Sequence, residues 1–260
     1  LTFSRPKKPD FSTLASAYAR YRSSYGDDLF DLVAEHARRH AHSALRALDL
    51  GCGTGLSTRG FLDRGFAVTG VDVAVPMLDE ARAALGDRAS FYEASAERLP
   101  FADAAFGLVV CGQAFHWFVP QPAFAEIARV LERGGLMALF WKHELKDDPF
   151  ERCAFDCLRE LSEKDEPANI SRAQTGRFDD FWAAKRAFFE HEEWRLPIRL
   201  PFTVDSFVGF HSSREIARFH LGTKRDLFLA NLRERIGALA GPTGKFTVDG
   251  MQYVYVSRRR

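Results

Sequence analysis

The stretch Ala47-Leu48-Asp49-Leu50-Gly51-Cys52-Gly53-Thr54-Gly55 decides how this chain is read. A short apolar run ends in glycines at alternate positions, and a helical pattern begins at Leu56. Glycines let the backbone turn sharply and approach a ligand with no Cβ in the way, and in open parallel sheets ligands bind at the carboxyl ends of strands. A dinucleotide fingerprint, G-x-G-x-x-G, needs its third glycine at position 56, where Leu56 stands; no Lys-Ser or Lys-Thr closes a phosphate loop. Asp49 suits a cationic ligand better than a pyrophosphate. Asp72, 21 residues after Gly51 at the end of the next apolar run, is placed to grip a ribose diol.

Outward from this loop, apolar runs alternate with helical patterns, the texture of a parallel sheet covered by helices. The runs predict strands at Ala44–Leu50, Ala67–Val73, Ala89–Tyr92, Phe106–Cys111 and Leu136–Trp141, with helices at Leu56–Arg64, Val75–Leu85 and Pro122–Leu131 between them. Gly134 and Gly135 supply a break before the fifth strand. Asp28–Arg39 has helical spacing. After Pro149 the texture changes: 149–192 is helical in composition, Trp194–Thr203 alternates like a strand, helix candidates run from Asp205 to Leu239, and Lys245–Val256 reads as a last strand closing the sheet edge. The division expected is an N-terminal helical cover (1–43), a ligand-binding core (44–148), a helical cap with a strand near 194–203 (149–240) and a C-terminal edge strand (241–260).

The loop resembles the D-x-G-x-G-x-G motif of class I S-adenosylmethionine-dependent methyltransferases, at Asp49 to Gly55. Three further segments are similar to that family in the right order: Ser95-Ala96-Glu97-Arg98-Leu99-Pro100-Phe101 to D-A-E-x-L-P-F, Phe106-Gly107-Leu108-Val109 to F-D-L-V, and Arg129-Val130-Leu131-Glu132-Arg133-Gly134-Gly135 to R-V-L-K-P-G-G. The resemblance implies a doubly wound, mostly parallel seven-stranded α/β sheet of Rossmann-like type with a helical cap after strand five. It also implies S-adenosyl-L-methionine as cofactor. Gly51, Cys52, Gly53 and Gly55 would line its methionine portion, with Asp49 near the ammonium and Asp72 on the ribose. Val73 and Met77 would pack on the adenine, Ser95, Ala96 and Glu97 would meet its edge, and Gln113 would face the methyl group. Ser95 and Gly107 depart from the family's usual Asp at both positions.

Flanking motifs narrow the resemblance to enzymes acting on small molecules. Tyr18-Ala19-Arg20-Tyr21-Arg22-Ser23-Ser24-Tyr25 is similar to the Y-x-x-Y-R-P-x-Y opening of the trans-aconitate methyltransferase group, with Ser23 and Gly26 where prolines are usual. Tyr18 and Arg22 would then cover the cofactor. Gln113-Ala114-Phe115-His116-Trp117-Phe118 resembles the segment after strand four in that group and in juvenile hormone acid methyltransferase, which places Trp117 at the acceptor pocket. His116 is the candidate general base, its ordinary pKa being near 6.5. His211 is a second candidate for acceptor contact, and His143 and Glu144 are weaker ones.

Composition sets the remaining bounds. The chain has 260 residues, 36 Lys plus Arg against 35 Asp plus Glu and a formal net charge of +1, which argues against a general nucleic-acid binder. No apolar window is long enough to span a bilayer, and Leu1 to Asp10, with Lys7 and Lys8, has no apolar run after them of the kind a secretory signal needs, so a cytoplasmic protein without membrane attachment is expected. Cys52, Cys111, Cys153 and Cys157 lack zinc spacing, and no metal is expected. Phenylalanine is in excess, 24 against 6 Tyr and 4 Trp, with twelve after Pro149. That surplus suggests a cap over the sheet's carboxyl edge and an apolar or aromatic acceptor.

The expected activity is methylation of a small organic acceptor at O or N, an aromatic ring system or a carboxylate, by a monomer or homodimer. RNA or protein methylation is the enzymatic alternative. A silent cofactor-binding regulator is the non-enzymatic one.

Overall fold

The computed structural model describes residues 11–40, 45–161, 189–214 and 221–260. One sheet organises them, in the order β3-β2-β1-β4-β5-β7-β6. Its strands are β1 (Arg46–Leu50), β2 (Ala67–Asp72), β3 (Ser90–Glu93), β4 (Phe106–Gly112), β5 (Leu131–Glu144), β6 (Phe189–Thr203) and β7 (Lys245–Arg259). The first five pair in parallel, and β7 runs antiparallel to both β5 and β6. This is the expected doubly wound α/β sheet. The strand order reverses between β1 and β4, which opens a crevice above their carboxyl ends.

Strand alternation divides the core in two. Leu48, Leu50, Val109, Cys111, Met137 and Leu139 face α5 (Pro120–Val130), where Phe124 and Ile127 are fully buried. Ala47, Leu108, Val110, Ala138 and Phe140 face α2 (Asp27–His40) and α3 (Leu56–Leu62), meeting Phe30, Val33 and Phe61. The sheet is thus covered on both faces, as parallel strands require. Helix α5 starts two residues before the expected Pro122 because Pro120 takes the first helical position, where a missing N–H costs least. Strand β5 begins ahead of Gly134-Gly135, and its register against β4 shifts between Phe106 and Leu108 to absorb the extra residues.

The end of the chain differs from expectation. Lys245–Arg259 lies inside the sheet, and the edge is Phe189–Thr203. Strand β6 carries Pro197 and Pro201 with Glu192, Glu193, Arg195 and Arg199, the residues tolerated where one side of a strand has no ladder to make. β7 pairs with β6 over its full length, so strand replaces the helical composition expected through residue 192.

β7 meets the end of β5 at Gly250, opposite Glu144; residues 245–249 continue past it, paired to 199–203. This ribbon projects beyond the carboxyl edge of the sheet and carries α6 (Pro149–Leu161), α7 (Val204–Ser212) and α8 (Arg225–Ala240). Phe202, Phe207, Phe210 and Phe228 are buried among them, and Phe150 stacks on Phe246 at 3.8 Å. These rings pack on one another, so the phenylalanine surplus is, among the described residues, a third core rather than an acceptor wall. Phe178, Phe181, Trp182 and Phe188 lie outside the described residues. Among the described residues no helix is long and apolar enough to cross a membrane.

Candidate functional site

Gly51, Gly53 and Gly55 all have left-handed φ, +66°, +54° and +83°, so each position uses the freedom that glycine alone supplies cheaply. A Cβ on Gly51 would lie 2.5 Å from Ala114 Cβ, and one on Gly55 would lie 2.8 Å from Leu85 Cδ1 of α4 (Val75–Leu85). A Cβ on Gly53 would meet nothing within 4 Å. The loop is therefore clamped at both ends and open in the middle.

Asp49 is fully buried beneath it. Its Oδ2 accepts hydrogen bonds from Ser57 Oγ and Thr58 Oγ1, both at 2.7 Å, while Oδ1 is buried with no partner. Burial pushes this carboxyl up to about 6 against the pull of the two hydroxyls. Thr54 Oγ1 is likewise buried and unpartnered. Orphaned oxygens beside an open glycine backbone fit a ligand that brings donors, and the ammonium of a methionine group is one.

Asp72 ties the loop to the next helix: Oδ2 accepts from Gly53 N at 3.0 Å and Oδ1 from Ala74 N at 2.9 Å. Each oxygen keeps a lone pair for a hydroxyl. Val73 beside it is 43% exposed, open to stacking, whereas Met77 is buried in the packing of α4. The Cys52 thiol turns inward toward Gly70, leaving its backbone to the site. Glu97 accepts from Val119 N at 2.7 Å and bonds Ser95 Oγ, which laces the segment after β3 to the start of α5. Ala96 is buried in the core, so that segment offers mainly backbone to an adenine edge.

The segment after β4 forms the opposite wall. Gln113 holds a left-handed φ of +58°, rare outside glycine, and two bonds fix it there: its N donates to Phe140 O at 2.9 Å, and its Nε2 to Lys142 O at 2.6 Å. Part of its amide is thus committed to β5. His116 and Trp117 follow on a short helical turn with ring centroids 4.6 Å apart. Trp141 Nε1 donates to His116 Nδ1 at 3.4 Å, engaging the lone pair that a base role would need.

The N-terminal helix α1 (Ala15–Tyr21) runs between α4 and the cap. Ser16 Oγ bonds Glu80 of α4 at 2.6 Å, and Arg22 Nε bonds Ser213 Oγ, just past α7, at 3.0 Å. The Arg22 guanidinium lies between the rings of Tyr18 and Phe210, 4.9 Å from each. His211, expected at the acceptor, is instead buried inside the cap among Phe207, Phe210 and Phe228, with Nε2 3.3 Å from Glu151 Oε1 but outside hydrogen-bonding geometry. Glu144 faces Arg214 at 3.8 Å, and His143 lies against Tyr253 on the β7 side.

Sequence reading gave no role to Ser57, Thr58, Trp141, Lys142 or Ser213. Ser57 and Thr58 were the traceable pair, being hydroxyls on the first turn of the helix that follows the glycine loop. The rest meet the site only through tertiary packing.

Residues 48–139 match the family model of the methyltransferase domain. This part of the chain is thus similar to the methyltransferase domain. The family's cofactor is S-adenosyl-L-methionine. An uncharacterized methyltransferase of Mycobacterium tuberculosis is 39% identical over 131 residues, 50% of this chain and 51% of that protein. Malonyl-(acyl-carrier protein) O-methyltransferase of Erwinia pyrifoliae is 35% identical over 136 residues, 50% of this chain and 51% of that protein. The chain spans about half the length of the curated relatives it matches. Among solved structures, a candidate type II methyltransferase from Anaeromyxobacter dehalogenans superposes with TM-score 0.63 at 21% identity, covering 92% of this chain and 98% of that one, which establishes a shared fold.

Proposed function

We propose that this protein binds S-adenosyl-L-methionine over the glycine loop and methylates a small organic acceptor at oxygen or nitrogen. The observation that carries the reading is the buried, unpartnered Oδ1 of Asp49 beneath a loop whose middle glycine is open. Gly51, Cys52, Gly53 and Gly55 would hold the methionine portion, Asp72 the ribose and Val73 the adenine, with Tyr18 and Arg22 above. When bound, the cofactor supplies an electrophilic methyl group on a sulfonium. In-line displacement needs alignment above all, so the walls formed by Gln113, His116 and Trp117 act by orienting the acceptor and excluding water.

Of the acceptors suggested by the sequence, a carboxylate has more support than an aromatic ring. The described cap phenylalanines are used in packing, Arg214 beyond β5 is 30% exposed, and one relative is named for O-methylation of malonyl-acyl-carrier protein. A carboxylate also needs no general base at neutral pH.

Calorimetry with S-adenosylhomocysteine tests the cofactor: binding by the wild type and its loss in Asp49→Ala are expected, and no binding at millimolar ligand sinks the reading. Radiolabelled methyl transfer to a cell extract separated by size tests the acceptor. Label in the small-molecule fraction is expected, and label retained on RNA or protein would replace that reading.

A further inference from the structure

Lys142 stands in β5 with only 7% of its surface exposed, yet its ammonium has every partner it needs. Nζ donates to Ser23 O, Ser23 Oγ and Ser24 O, each at 2.8 Å. Three acceptors for three N–H bonds is full satisfaction, the condition under which a buried charge is tolerable. Two residues on, Gly26 N donates to Gln252 Oε1 at 2.7 Å, and Gln252 Nε2 donates to Asp28 Oδ1 at 3.1 Å. Gln252 faces Lys142 across the β5–β7 ladder. Two neighbouring side chains of the sheet therefore grip one turn, the link between α1 and α2.

Both gripped residues use groups the grip needs: Ser23 offers its hydroxyl and carbonyl to Lys142, and Gly26 offers its N–H to Gln252. A Cβ on Gly26 would fall 2.5 Å from Asp28 Oδ1, so the turn is fixed by hydrogen bonds to the sheet.

The consequence lies at the site. α1 enters this turn directly, and its far end is tied to α4 by Ser16, on the side of the loop where Asp72 sits. Tyr25, leaving the turn, packs its hydroxyl over Gly112 at the end of β4, where a Cβ would be 2.5 Å away. Holding the turn therefore sets where Tyr18, Arg22 and Tyr25 lie above the crevice.

We propose that Lys142, seconded by Gln252, is a positioning residue that pins the Ser23–Gly26 turn and so closes the α1 segment over the cofactor. The inference rests on the cofactor reading above. Other charged and titratable groups near the ammonium are Glu144 on the same strand, Arg22 at the end of α1 and the Tyr25 ring at 5.5 Å.

The test compares Lys142→Met with the wild type at pH 7. Loss of a charged anchor is expected to weaken S-adenosylhomocysteine binding about tenfold and to speed amide deuterium uptake in residues 18–25 of the ligand-free protein while leaving β4 and β1 protected. A general structural role would instead raise exchange throughout the sheet, and that outcome overturns the proposal. So does a folded Lys142→Met variant with wild-type affinity, whatever its exchange at 18–25. If Lys142→Met does not fold, Ser23→Ala, which removes one acceptor from an intact turn, must still raise exchange at 18–25; unchanged exchange there overturns the pin. Failure of the wild type to bind at all removes the cofactor reading itself, whereas wild-type binding that Lys142→Met does not alter removes the pin alone.

Discussion

Trp141 on β5 donates its indole N–H to Nδ1 of His116 across 3.4 Å. An indole nitrogen can only donate, so the accepting Nδ1 carries a lone pair and the proton of the neutral ring sits on Nε2. Proton abstraction by His116 would first require breaking this bond or switching tautomer. Long-range proton–nitrogen NMR of the imidazoles is expected to show His116 as the Nε2–H form, with Trp141→Phe releasing it to a mixture of tautomers. A wild-type ring protonated on Nδ1 would restore the base role that the sequence suggests.

Asp49 links pH to cofactor binding. Its carboxyl, pushed up to about 6 by burial, holds a proton at pH values where the unfolded chain, titrating near 4, has released it. The folded state thus gains stability from Asp49 that is complete below about pH 4 and lost as pH rises through 6, a swing of about 3 kcal/mol. A bound ammonium reverses the preference by favouring the ionised form. Affinity for S-adenosylhomocysteine is therefore expected to climb about tenfold between pH 5 and 7, and Asp49→Asn should flatten that rise while stabilising the free protein at pH 7. Calorimetry at several pH values and thermal melting check both. Equal wild-type affinity at pH 5 and 7 would place the ammonium elsewhere.

The sheet was legible because its signals are local. The alternation in β4 and β5 and the glycines at 51, 53 and 55 depend on neighbours a few residues away. The order of the last two strands was not, since β6 and β7 share length and alternation; only Pro197 and Pro201 hint at which one forms the edge. Side-chain roles divide in the same way. The placing of Asp49 under the glycine loop and of Asp72 against Gly53 follows from residues within or next to the loop itself. Lys142, 119 residues from Ser23, carries no local mark of its purpose. His211 was offered at the acceptor by the resemblance of its segment alone; that its ring lies buried among Phe207, Phe210 and Phe228 is set by tertiary packing, which no local pattern shows.

Two glycines should separate ligand binding from folding. Gly53→Ala adds a Cβ into open space, so its direct cost is the φ of +54°, about 1 kcal/mol. Gly60→Ala drives a Cβ to 2.2 Å from the Phe30 ring and should cost about 1–3 kcal/mol in urea denaturation. Cofactor binding should fail in the Gly53 variant and survive in the Gly60 variant at temperatures where it is folded. The opposite pattern would move the ligand away from the loop.

Glu151 tests how the cap is held. It is 2% exposed, faces His211 Nε2 at 3.3 Å and Arg214 at 3.4 Å, and its carboxyl is held below the ordinary range by those neighbours even though burial opposes them. Removing it leaves His211 inside an apolar cluster with no anion, while Arg214 can still turn toward Glu144. Glu151→Ala should therefore destabilise by about 3–5 kcal/mol, read as a lower urea midpoint. Replacing both partners, Glu151→Met with His211→Phe, should recover most of the loss, because the surrounding Phe207, Phe210 and Phe228 accept apolar volume and no buried charge remains to be paired. A single variant within about 1 kcal/mol of the wild type would mean that the Glu151 carboxylate does not hold the cap together.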